Sequence, residues 1–450
     1  MMTGVMKLRA AVVASQLVLS ALVSAAAPSG AATTTRFRPD AGLSIVSARH
    51  PSPRLWRLVV KTRQLQQPVR VNVLLPVGYG SSTRRYPVLY LFHGTSGGAN
   101  DWLSMGHAAA TSLPYRMIIV MADAGYHSNG GSWFTNWVDQ HTKLGRANWE
   151  TFHVRQLIPF IDANLRTVRS RTGRAIAGLS QGGFGSTSYA ARHPDKFVSV
   201  ASFSGAPDIA SNPAAESAAT SVISATAVGL DGVEPNAFFG SHTDHEINWK
   251  GHNPATLVRN MRPLDIELWS GNGQPGPLDK PGTGTGEAAT FEAFVHQSAV
   301  YFTQAADKSH VHYYFDDYGP GTHSWPYWTR DLKQYLPRLA TVFAQHRRWP
   351  ASTYYRATAK TWTQWGWTLA NHRAAKQAWS SLGQAGPSRF VLRTDAAFAR
   401  VTTPHYYRPG SVHRVRVAGG SGPRTATAGP GGRLRLRIVP RNGVATVTIR

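Results

Sequence analysis

Hydrophobic positions along the first two thirds of the chain fall into two kinds of run that take turns. Short stretches rich in β-branched and aromatic residues, at 56–61, 69–75, 88–92, 117–121, 174–177, 198–203, 265–269 and 311–315, read as strands. The first two alternate polar with apolar and predict an antiparallel edge. The rest are nearly continuous apolar runs, which strands buried on both faces of a parallel sheet require. Between them, 149–165 carries Phe152, Leu157, Phe160, Ile161 and Leu165 at helical spacing, with Asn148 as the predicted N-cap. Further helices are predicted over 181–192, 288–304 and 329–345. Strands and helices in this order predict an α/β fold with a mostly parallel central sheet.

Two segments break the rhythm. Residues 206–263 are rich in Ala and Ser and then polar, which predicts a cap or lid inserted over a site; residues 271–286 are a Gly/Pro loop. After Arg348 the pattern changes altogether. Residues 354–380 are rich in Trp and Tyr, and 389–450 break into alternating runs such as Arg433-Leu434-Arg435-Leu436-Arg437-Ile438, separated by Gly/Pro clusters. This predicts a small all-β domain. The expected organisation is a leader at 1–32, an α/β domain at 33–348 and a β accessory domain at 349–450.

The leader is read from charge order: Lys7 and Arg9 precede an uncharged run, Ala10 to Ala27, with small residues at Ala25 to Ala27 and Ala31 to Ala32 as cleavage sites. That is the order of a secretory signal, so the expected location is extracellular, with association to the cell wall as a further option. The chain has no Cys among its 450 residues, which excludes a disulfide framework, a thiolate metal site, a cysteine nucleophile and a lipidated cysteine. The formal net charge is +25, and residues 351–450 hold 16 Lys and Arg against the single acid Asp395. Such a field favours an anionic cell-envelope polymer as partner of the C-terminal domain. Nucleic acid is not expected, because no recognisable reading module is present.

Candidate chemistry concentrates at Gly178-Leu179-Ser180-Gln181-Gly182, a G-x-S-x-G run between a predicted strand and a predicted helix. A serine on that turn is held exposed, with the helix N-terminus placing positive potential beside a nascent oxyanion. Ser180 is therefore the expected nucleophile. It needs a general base, and in such folds the order is Ser, acid, His. His323, in Gly321-Thr322-His323-Ser324-Trp325 just past the last predicted strand, is the expected base; His310 and His312 fall on the far side of that strand. Spacing alone does not choose the acid among Asp265, Glu267, Asp279, Glu287, Glu292, Asp316 and Asp317. Two N–H groups must meet the oxyanion. Gln181 is expected to give one, and Thr95, in the loop His93-Gly94-Thr95-Ser96-Gly97-Gly98, the other.

Residues 55–345 resemble the esterase D-like branch of the α/β-hydrolases, and most closely the secreted trehalose mycolyltransferases of the antigen 85 type. The matching stretches are LYLFHG (89–94), IIVMADAG (118–125), NWETF (148–152), AIAGLSQGG (175–183), FSGAPD (203–208), LWSGNGQP (268–275), FEAFV (291–295) and GTHSWPYW (321–328). The resemblance implies an α/β-hydrolase fold, ester cleavage or acyl transfer, and Glu292 as the acid, with Asp279 as runner-up. It departs where the family's sugar-contacting Asp and Arg would stand: those positions hold His93 and Ser96. That weakens trehalose as acceptor and makes His93, Ser96 and Trp325 the expected substrate contacts of a plainer esterase. The C-terminal hundred residues are similar, without a diagnostic motif, to β domains appended to other secreted esterases.

No cofactor is expected, and no metal: His242, Asp244, His245 and Glu246 cluster, and His310-x-His312 could share a strand face, but neither has a third ligand at a recognised offset. Trp362, Trp365, Trp367 and Trp379 are expected to build the accessory domain's core and its contact with the main domain rather than a carbohydrate surface. The reading of a different class, an envelope-binding protein with a vestigial hydrolase core, sits poorly with a complete Ser, His and acid set. Oligomeric state is not legible.

Overall fold

A computed structural model describes residues 37–126, 130–281, 286–346 and 349–450; the expected leader lies outside them. Nine strands form the central sheet: β1 Ser44–Ser52, β2 Leu55–Lys61, β3 Val69–Leu74, β4 Val88–Phe92, β5 Ile118–Ala122, β6 Arg174–Leu179, β7 Ser199–Phe203, β8 Asp265–Ser270 and β9 Tyr314–Asp317. Their order is β1-β2-β3-β5-β4-β6-β7-β8-β9. The first three pair antiparallel, as does β3 with β5, and every pair from β5 to β9 is parallel. The burial follows the sequence pattern. β4, β5, β6 and β7 are buried at every position, whereas β2 alternates.

Helices cover both faces. The run predicted as one helix over 149–165 is a π-helical stretch, Thr151–Leu157, that continues as the α-helix Ile158–Asn164. Asn148 does not cap it with its side chain. It bridges to Asn136 instead, and the Asn136 carboxamide oxygen accepts from the Thr151 N–H at 3.0 Å. The helix Gln181–Arg192 matches its predicted bounds, while the last two run longer, as Glu287–Lys308 and Trp325–Ala344. The start at Trp325 follows from Pro326, which is pre-organised for a first helical turn. The 206–263 insertion folds as the helix Pro213–Ala225, the π-helix Thr226–Asp231 and the helix His242–His252. No helix among the described residues is long and apolar enough to cross a membrane.

From Thr353 onward the chain is all β, in a six-stranded and a five-stranded sheet around their own core. Trp362, Trp365 and Trp367 are buried in it, and Trp379 packs against the core of the α/β domain. Hydrogen bonds join the two domains. The Tyr355 hydroxyl and the Gln364 amide both donate to the Arg192 carbonyl, at 2.8 and 2.9 Å. The Asn260 carboxamide meets the backbone of Arg356 on both sides, accepting from its N–H and donating to its carbonyl at 2.9 Å each.

Candidate active site

Ser180 stands between β6 and the helix Gln181–Arg192 with φ +52° and ψ −124°. A non-glycine residue there costs on the order of 1–3 kcal/mol, which the surroundings must hold in place. They do so by close backbone packing. The Ser180 N–H donates to the Phe203 carbonyl at 2.9 Å, and a Cβ on Gly178 or Gly182 would collide with the Gly182 and His93 carbonyls respectively. Only glycine fits at those two places.

Three side chains that the sequence separates widely come together here. His323 Nε2 lies 2.8 Å from Ser180 Oγ, and His323 Nδ1 lies 2.7 Å from Glu292 Oε2. With the carboxylate accepting from Nδ1–H, Nε2 is the lone-pair nitrogen that accepts the Ser180 hydroxyl proton. Glu292 is fully buried in the helix Glu287–Lys308. Its other oxygen accepts three hydrogen bonds, from Ser204 Oγ and Ser270 Oγ at 2.9 Å and from the Gly271 N–H at 2.8 Å. Ser204 directly follows β7, and Ser270 is the last residue of β8. Sequence reasoning did not single them out, although both lie in the family-like stretches FSGAPD and LWSGNGQP.

The remaining acids are engaged elsewhere. Asp279 accepts from Thr322 Oγ1, from the Tyr327 hydroxyl at 2.9 Å and from the Gly276 N–H at 2.8 Å, so it ties down the loop that carries His323. Asp265 accepts from Ser199, Glu267 pairs with Arg338, Asp316 with Arg330, and Asp317 with His296. Glu287 sits on the cavity wall. Asp244 accepts from the hydroxyl of Ser241, which caps the helix by accepting from the Asp244 N–H, and Glu246 pairs with Lys250. Among the described residues no group of three or more His, Asp or Glu converges as metal ligands would.

Ser180 and His323 open onto a cavity of about 880 Å³. One wall is the Gly94–Gly97 loop with Met105; the other is Val222, Ala225 and Leu230 of the insertion with Phe291, Phe294 and Val295. Thr95, Ser96 and Trp325 line it. Trp325 is held edge-on by Trp102 and Trp328, with ring centres 5.3 and 5.2 Å away.

His93 is a correction. It is buried and does not line the cavity: Nε2 accepts from the Ala124 N–H at 2.8 Å, so Nδ1–H donates to the Gly94 carbonyl at 2.8 Å. Burial lowers its pKa, favouring the neutral ring that this pairing requires. Its place is under the Gly94–Gly97 loop, which it ties to Ala124, rather than on the cavity wall. The Gln181 side chain does similar work from the other side. Its oxygen accepts from the Trp133 N–H at 3.1 Å, and its nitrogen donates to Thr95 Oγ1 and the Gly130 carbonyl at 3.1 and 2.8 Å. The Gln181 N–H itself opens a helix, where first-turn amides have no upstream carbonyl and can meet an anion.

A parallel sheet extended by an antiparallel edge, with a strained serine after the central strand β6, is the α/β-hydrolase fold. The chain belongs to the Esterase family, whose model matches residues 62–339. It is 43% identical over 166 residues to the esterase Rv1288 of Mycobacterium tuberculosis, a match covering 36% of this chain and only 35% of that relative's length. It is 28% identical over 333 residues to the diacylglycerol acyltransferase/mycolyltransferase Ag85B of Mycobacterium leprae, covering 71% of this chain and 90% of the relative. Among solved structures it is similar in fold to Mycobacterium tuberculosis MPT51, with TM-score 0.50 and 23% identity over 64% of this chain and 97% of the other. An S-formylglutathione hydrolase from Agrobacterium tumefaciens has the same score, at 15% identity over 66% and 99%.

Proposed function

We propose that the protein is a secreted serine carboxylesterase, with residues 33–348 as its catalytic part, that cleaves esters of apolar acyl chains through an acyl-enzyme on Ser180. The observation that carries this reading is the Ser180–His323–Glu292 hydrogen-bond relay at the mouth of a mainly apolar cavity. His323 Nε2 takes the hydroxyl proton as Ser180 Oγ attacks the ester carbonyl. Glu292 orients the ring and stabilises the imidazolium that forms. The N–H groups of Gln181 and Thr95 hold the oxyanion. The carbonyl re-forms, the alcohol leaves with the proton from His323, and water activated by the same ring releases the acid. No cofactor takes part in these steps.

Acyl transfer to an alcohol is the second reading, supported by the likeness to a relative named as an acyltransferase. Both share the first half-reaction and differ only in the second nucleophile. The deciding experiment incubates the protein with p-nitrophenyl esters of graded chain length, with and without glycerol or a sugar, and follows acyl-enzyme and products by mass spectrometry. Free acid as main product supports the esterase; an acylated acceptor that outweighs it overturns that reading in favour of transfer. Turnover by Ser180→Ala would overturn both. Secretion is supported by the charge order of the first 32 residues, and N-terminal sequencing of protein from culture medium tests it.

A further inference from the structure

The two domains enclose a second cleft, of about 650 Å³, whose walls include Arg259, Arg262, Arg356, Arg393, Tyr354 and Trp379. Arg259 and Arg262 precede the first residue of β8, Asp265, whereas the last residue of β8, Ser270, hydrogen-bonds Glu292. The cleft and the Ser180 relay therefore lie at opposite ends of the parallel strands.

Four arginines line one space, and no carboxylate does; Arg262 also donates to the Ser309 carbonyl at 2.8 Å, outside the lining. None of the four has an ion-pair partner among the described residues. Two of them are planted on rings: Arg356 Cζ lies 3.7 Å from the Trp379 ring centre and Arg259 Cζ 4.2 Å from that of Tyr354. Stacking fixes the plane of a guanidinium and leaves its N–H edge free to take an oxyanion in the two-pronged way. Burial lowers the Arg356 pKa, and the neighbouring Arg259 charge adds to that lowering. By contrast Arg192 is answered by Glu150 and Arg330 by Asp316. The rim adds neutral hydrogen-bonding groups from Ser352 and Gln384.

We propose that this cleft binds an acidic carbohydrate polymer, a chain of sugars or polyols bearing carboxylate or phosphodiester groups, and tethers the protein to it while the Ser180 end stays free. Arginine edges take the anionic groups and the hydroxylated rim takes the polyol. Nucleic acid suits the cleft less well, because base stacking needs open ring faces and guanidinium groups already cover Tyr354 and Trp379.

The test uses the full chain in affinity electrophoresis against polygalacturonate, poly(glycerol phosphate), neutral dextran and single-stranded DNA at low salt. The wild type is expected to be retarded by at least one acidic polymer and not by dextran; the stronger of the two identifies the carboxylate or the phosphodiester source. Arg259→Gln with Arg393→Gln should weaken binding about tenfold or more. Arg435→Gln with Arg437→Gln, the same charge change on another strand, should weaken it less than about threefold. An unchanged melting midpoint shows that each variant folds, and the single exposed change Arg262→Gln repeats the measurement if the first pair does not. Equal loss in both pairs, tighter binding of DNA than of either acidic polymer, or no retardation by either acidic polymer would overturn the proposal.

Discussion

The two ends of the central sheet handle charge in opposite ways. At the carboxyl end Glu292 is buried with four hydrogen bonds, one to His323 and three to Ser204, Ser270 and Gly271. At the amino end four arginines share a cleft without a carboxylate. Where every group is satisfied, function rests on geometry within tenths of an ångström. Where cations stand unanswered, it rests on field strength and an incoming anion.

The sharpest way to break this comparison is at the nucleophile. Ser180→Ala should lower kcat for a p-nitrophenyl ester by about 10⁴-fold or more and abolish the acyl adduct in intact-mass spectra. Glu292→Gln keeps the shape and removes the charge; a loss of about 10³–10⁴ in kcat is expected, against less than about tenfold for Asp279→Asn, which serves a loop rather than the imidazole. Steady-state kinetics of the two variants side by side separates the carboxylates. Gln181→Ala leaves the backbone donor in place but frees Thr95, Trp133 and Gly130; kcat should fall by about 10–10², and a KM change without a kcat change would show that the side chain does not position the oxyanion loop.

Acid should destabilise the fold through a buried histidine. His153 is buried, its Nε2–H donating to the Asp123 carbonyl at 2.9 Å and its Nδ1 facing the Tyr189 hydroxyl at 3.1 Å, and burial pushes its pKa down to about 3. The unfolded chain therefore binds this proton at higher pH than the folded one. Its stability contribution is complete above about pH 6.5 and is lost as pH falls toward about 3, by at most about 1.4 kcal/mol per pH unit. Denaturant melts at graded pH should show that slope, and His153→Gln should flatten it. The smallest effect expected is of salt: hydrolysis of a neutral soluble ester should change less than about twofold between low and high ionic strength, since buried partners are poorly screened. A steep salt dependence of that rate would place exposed charge in the catalytic step.

Much of this was legible in the residues because burial on both faces leaves a plain mark. β4 and β7, and the helix after Ser180, fall where their apolar runs and glycines put them. The edges were not. β1 (SIVSARHPS) is mostly exposed and carries no period, so pairing with β2 alone makes it a strand. The last strand is Tyr314–Asp317 rather than 311–315, because its position is set by the register with β8 and not by an apolar run. A π-helical stretch of seven residues is under two turns, too short to display a period of its own, so 151–157 could not be told from the α-helix that follows. Spacing could not choose the acid, which only the family resemblance named, for a topological reason. Asp279 sits in the loop where chain order points, and Glu292 reaches His323 from the side of a helix, which no local pattern reveals.

The helix that opens at Gln181 closes at Arg192, and the carbonyl there is the one that Tyr355 and Gln364 reach across to hold. One rod thus has its reactive end in one domain and its far end capped by the other. Such a seam makes the two parts a single cooperative unit, expected to melt in one transition. Cutting the chain near residue 350 would leave a bare helix end and an uncovered patch on the larger piece.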